Sequence, residues 1–119
     1  MDFNPIARKL ELRKLIIGNS VCPFDEWFET LSVEDQYMVD TRLARVSLGS
    51  FGETNSVGGG VFELKFRRGR AIRLYYGRIG KMVLLLITGG DKRTQQKDIS
   101  TAKLLFKNYR SEMTKDANH

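Results

Sequence analysis

The sequence predicts an α+β domain: a small twisted antiparallel sheet in the order β-α-α-β-β-β-α, with a helical hairpin toward the N-terminus and a helix toward the C-terminus. Three observations predict it. Strand-like runs occupy residues 61–66, 71–76 and 82–88, separated by glycine-containing turns. Ahead of them, apolar residues recur at helical spacing in two adjacent stretches. Behind them, a last stretch with the same period begins near residue 95. A chain of 119 residues makes one domain, with its core over about 7–109 and a polar tail over 110–119.

Taken in order, residues 7–17 (ARKLELRKLII) alternate in part, with Leu10, Leu12 and Ile16 inward. They read as an edge strand whose lysines and arginines discourage edge-to-edge pairing. A helix begins around Pro23, where the first N–H has no partner to lose. Phe24, Trp27, Phe28 and Leu31 follow at i, i+3, i+4 and i+7 as a core-facing stripe. Cys22, the only cysteine, reads as a small buried residue; the lack of a disulfide framework suits a reducing cytoplasm. Ser32 is placed to cap a second helix, with Asp35 three residues on. That helix runs to about Leu48, burying Met38, Val39, Leu43 and Val46, and Gly49 stops it.

Residues 50–60 (SFGETNSVGGG) read as a flexible glycine-rich loop. They lack the Gly-Lys-Ser/Thr ending of a phosphate cradle and lead into a strand rather than a helix. In the first run after it, Phe62, Leu64 and Phe66 share one face, and Glu63, Lys65 and Arg67 the other. In the second, Ile72, Leu74 and Tyr76 oppose Arg73 and Tyr75. The third, MVLLLIT, has no polar face before Thr88 and reads as a central strand covered on both sides. A turn over 89–93 leads to a helix over about 95–109, burying Ile99, Ala102, Phe106 and Tyr109. No apolar run approaches the ~18 residues of a membrane span, and the N-terminus has no signal-peptide pattern, so no membrane partner is expected.

Charge is segregated. Between Val61 and Arg93 there are nine basic residues (Lys65, Arg67, Arg68, Arg70, Arg73, Arg78, Lys81, Lys92, Arg93) against Glu63 and Asp91, while the whole chain carries +6. Residues 23–45 hold six acids and two bases. A polyanion is therefore expected to approach from the sheet.

The chemistry narrows by subtraction. His119 is the only histidine and sits in the tail, which removes Ser-His-Asp and Cys-His triads and histidine zinc sites. The carboxylates lack metal-motif spacing, so no metal or cofactor is expected. A basic surface with one embedded acid, Glu63, and tyrosines beside arginines suits RNA. It could bind RNA passively, with bases stacked on Tyr75 or Phe62. It could also cleave RNA: a base deprotonates a ribose 2′-hydroxyl, which attacks its own phosphate, while arginine or lysine stabilises the pentavalent charge and an acid protonates the leaving oxygen. Each of these side chains also has a plain alternative as a solvated charge, a turn residue or, for Arg73 and Glu63, a surface ion pair.

The segments CPFDEWFETL, RLARVSLGSFGE, VGGGVFELKF, IRLYYG and VLLLITGGDKRTQQKDISTAK closely resemble the RelE/ParE toxin superfamily, within it the HigB-like branch labelled "addiction module killer protein". The run Gly89-Gly90-Asp91-Lys92-x-Thr94-Gln95 followed by Asp98-Ile99 is the most specific part. The resemblance implies the toxin of a type II toxin–antitoxin pair: a cytoplasmic, metal-independent mRNA interferase acting with the ribosome. A small helix-turn-helix antitoxin would be its partner. ParE members instead inhibit DNA gyrase without catalysis. By motif position, Arg73, Lys65 and Lys92 would be catalytic. The reading of the basic face adds Glu63, to orient them or act as base, and places Arg67, Arg68, Arg70, Tyr75 and Arg93 on the RNA. Ile72 and Asn55 depart from the pattern, standing where relatives carry an aromatic residue and a lysine.

Overall fold

The computed structural model describes residues 9–67 and 71–117. The elements are β1 (Glu11–Lys14), α1 (Pro23–Phe28), α2 (Val33–Ser47), β2 (Thr54–Gly58), β3 (Val61–Lys65), β4 (Arg73–Ile79), β5 (Val83–Gly90), a 3-10 turn (Lys92–Thr94) and α3 (Gln95–Ala117). The α+β class and the order of helices and strands follow the sequence, with two differences in the sheet. Its five strands run β1-β5-β4-β3-β2, and β1 lies parallel to β5 rather than antiparallel. Alternation places a strand on an edge but carries no direction, since both pairings present the same period of two. The second difference is β2, which forms inside the stretch expected to be a loop. It has one apolar residue, Val57, and is held by antiparallel pairing to β3. Gly58, Gly59 and Gly60 turn between them, with φ of +95°, +65° and +80°, values that glycine alone adopts without strain.

The sheet separates two cores. On one face Phe24, Leu31, Val39, Leu43 and Val46 pack onto Leu64, Phe66, Ile72, Leu74, Tyr76, Leu84 and Leu86. On the other, Ala102 and Phe106 of α3 pack onto Leu15, Val61, Tyr75, Leu85 and Ile87. β5 is thus buried on both sides, as its unbroken apolar run requires. Leu15 points inward at 2% exposed, whereas Ile16, expected there, is 49% exposed. Ser32 caps α2 by accepting from the Asp35 N–H at 3.1 Å. The helix ends at Ser47, with Leu48 as its C-cap ahead of Gly49, whose φ is +94°. α1 is shorter than its aromatic stripe, which finishes at Leu31 in the turn beyond it. α3 continues well past Tyr109, through most of the expected tail. It lies so close to the sheet that a Cβ on Gly77 would collide with the Phe106 ring.

Candidate functional site

The face of the sheet under α3 continues past the start of that helix, and there its character changes from apolar to charged. Glu63 and Lys65 on β3 sit opposite Tyr75 and Arg73 on β4. Strand alternation puts all four on the α3 side. The 3-10 turn carries Lys92 over the same end, and Gln95 opens α3 beside it. Lys65, Arg67, Arg73 and Lys92 line a hollow of about 220 Å³ together with Glu53, Phe66 and Ala71.

Glu63 is the hub. It is 2% exposed, and its Oε2 accepts from the Tyr75 hydroxyl at 3.0 Å and from Gln95 Nε2 at 2.9 Å. Arg73 Nε stands 3.8 Å from the same oxygen, an ionic contact too long for a hydrogen bond. Arg73 Nη1 donates to the Ala71 carbonyl at 2.9 Å. Among the described residues, Arg73 Nε is the one buried side-chain nitrogen or oxygen without a hydrogen-bond partner. Burial, reinforced by the hydrogen bond to Glu63, pushes the Tyr75 phenol far above its ordinary value of 10.0, so it remains a donor throughout the neutral range.

These positions correct several expectations. Arg73 and Glu63 are buried rather than outward-facing, at 9% and 2% exposed. Helix α3 covers part of the polar face, which strand alternation alone could not reveal. Tyr75 is fully buried in the core beneath α3 and offers no ring face to a base. Phe62 is partly buried, stacked on Tyr76 with ring centres 5.5 Å apart. Both faces of the sheet carry helices, so the basic residues do not form one open sheet surface. Arg78 lies five residues along β4 from Arg73, roughly 17 Å away, packed over Phe51 and Phe62. Arg68 and Arg70 lie outside the described residues. Arg67 and Arg93 are exposed and pair with Glu53 at 2.8 Å and Asp91 at 3.2 Å. Such surface pairs contribute under about 1 kcal/mol and exchange readily for a phosphate.

The double-glycine run has a steric cause. A Cβ on Gly89 would meet the Trp27 ring, and one on Gly90 the Asp98 carboxylate. Asp91 Oδ1 accepts from the Arg93 N–H at 2.8 Å, and the Thr94 hydroxyl accepts from the Asp91 N–H at 3.3 Å, completing a capping box. Thr94 also donates to Asp98. The arrangement fixes the backbone that carries Lys92 and Gln95.

No family model matches the sequence. An uncharacterised protein of Haemophilus influenzae is 39% identical over 83 residues, which span 69% of this chain and 84% of that protein. The chain belongs to that protein's family. The relative brings kinship without an activity, so the chemistry of this family member rests on its own side chains.

Two of those side chains were not legible as functional in the sequence. Gln95 looks like any polar residue at a helix start; only the fold brings it to Glu63. Arg42, on α2, donates to the carbonyls of Phe51 at 2.9 Å, Lys65 at 2.7 Å and Glu53 at 3.0 Å, with its guanidinium over the Phe66 ring. It ties the segment before β2 to the end of β3 and so supports the hollow from behind.

Proposed function

We propose that this protein is a metal-independent endoribonuclease toxin of the RelE/ParE type, cleaving mRNA with the ribosome and neutralised by a small helix-turn-helix antitoxin. The observation that carries the reading is the buried Arg73, which lines a hollow together with Lys65 and Lys92. An arginine preorganised in this way stabilises charge that develops on a phosphate without having to reorganise at the moment of reaction. In the cleavage step the 2′-hydroxyl loses its proton, its oxygen bonds to the adjacent phosphorus, and the bond to the 5′-oxygen breaks as that oxygen gains a proton. Arg73 stabilises the pentavalent centre, while Lys65 and Lys92 hold the phosphates or transfer the protons. Glu63, enclosed and already accepting from two donors, suits an orienting role better than that of a base.

Inducible expression with parallel readouts of transcript ends and DNA supercoiling tests the reading. Growth arrest with shortened translated mRNAs is the expected result, and cutting in a purified translation system should survive chelation that leaves ribosomes intact. Whole transcripts with trapped gyrase–DNA complexes would overturn it in favour of a ParE-like inhibitor.

A further inference from the structure

We infer that Gln95 is a positioning residue that, with Tyr75, keeps the Glu63 carboxylate from closing onto Arg73 and so leaves the Arg73 guanidinium available to an incoming RNA phosphate. A carboxylate and a guanidinium this deeply enclosed would ordinarily form a hydrogen-bonded pair near 2.8 Å, because an unmade bond of a buried charged group is costly. Here the separation is 3.8 Å and Arg73 Nε has no partner among the described residues. The oxygen it faces is the one already taken by Tyr75 at 3.0 Å and Gln95 at 2.9 Å. The two neutral donors occupy the lone pairs that Arg73 would otherwise use. They satisfy Glu63 Oε2 without a hydrogen bond from Arg73, which lines the hollow. Gln95 begins α3 directly after the turn bearing Lys92, so one side chain couples the placement of both cations.

The activity arm of the test rests on the RNA-cleavage reading; the spectroscopic arm does not. Gln95→Leu keeps the bulk and removes the donor, and Tyr75→Phe removes the other donor independently. Proton–nitrogen NMR of the arginine Nε–H groups, with the Arg73 signal assigned through Arg73→Lys, reports the pairing directly. In either variant the Arg73 signal should move downfield, and its exchange with water should slow about tenfold, as one new charge-assisted hydrogen bond would cause. In the translation system, single-turnover cleavage by Gln95→Leu should fall about tenfold, with no further loss when the substitution is added to Arg73→Ala. An unmoved Arg73 signal in both variants would overturn the inference, even if melting temperature fell. So would losses that multiply in the double variant. A parent protein that cuts no RNA would sink the nuclease reading alone, leaving the Arg73 signal to decide the role of Gln95.

Discussion

On the proposed reading Arg73 joins stability and function in one side chain, and the two separate under substitution. Because Arg73 is buried, Arg73→Ala removes packing and the hydrogen bond to the Ala71 carbonyl, and should cost about 1–3 kcal/mol in urea unfolding. Cleavage should fall a hundredfold to a thousandfold, on the order of 3–4 kcal/mol of transition-state stabilisation. Arg73→Lys keeps the charge but loses the planar fork, so a partial loss is expected. A folded Arg73→Ala protein that arrests growth like the parent would make Arg73 a structural residue only. Tyr75 gives a pH signature. Its phenol is raised above 10.0 in the folded state, so its stabilising contribution is complete below pH 10 and is lost as pH rises beyond, where the unfolded chain ionises and the folded one resists. Above pH 10 the parent should lose stability more steeply than Tyr75→Phe; parallel curves would show that the hydroxyl is not held as described.

At the scale of elements, what the sequence revealed and what it hid follow from how far each signal reaches. The stripe from Phe24 to Leu31, the Ser32 cap and the alternation around Leu64 and Leu74 are written within a few residues, and the structure contains them. The strand β2 is not written locally, because Thr54 to Gly58 pair through β3 and not through their own propensity. The meeting of Glu63 with Tyr75 and Gln95 spans three separate elements, and no spacing rule reaches it. The same holds for Arg42, whose three carbonyl partners lie outside its helix. Arg42→Met, which keeps the stem over Phe66 and removes the donors, should destabilise the fold by about 2–3 kcal/mol. It should also loosen residues 50–53 toward proteolysis before the rest of the chain. A melting temperature within a degree of the parent's would contradict the strut.

For the whole molecule, if RNA is the ligand as proposed, the closure of both sheet faces by helices predicts the salt dependence of its binding. Nine basic residues acting together would give a steep decline in affinity. Lys65, Arg67, Arg73 and Lys92, the four that line the hollow, predict a slope of log affinity against log salt of about −3, at ~0.7 per phosphate on a single strand. Titration of a 2′-O-methyl RNA, which resists cutting, measures it; a slope near −6 would restore the broad surface. The parallel pairing of β1 with β5 has a consequence for synthesis. Glu11 and Val83 are register partners roughly seventy residues apart, a long loop to close before contact is rewarded. A chain emerging from the ribosome must therefore hold β1 unpaired until β5 is made. Lys92 and Gln95 emerge later still. The cluster around Glu63 consequently assembles only after α3 has begun to emerge, and on the proposed reading the RNA-cleaving site stays incomplete until then.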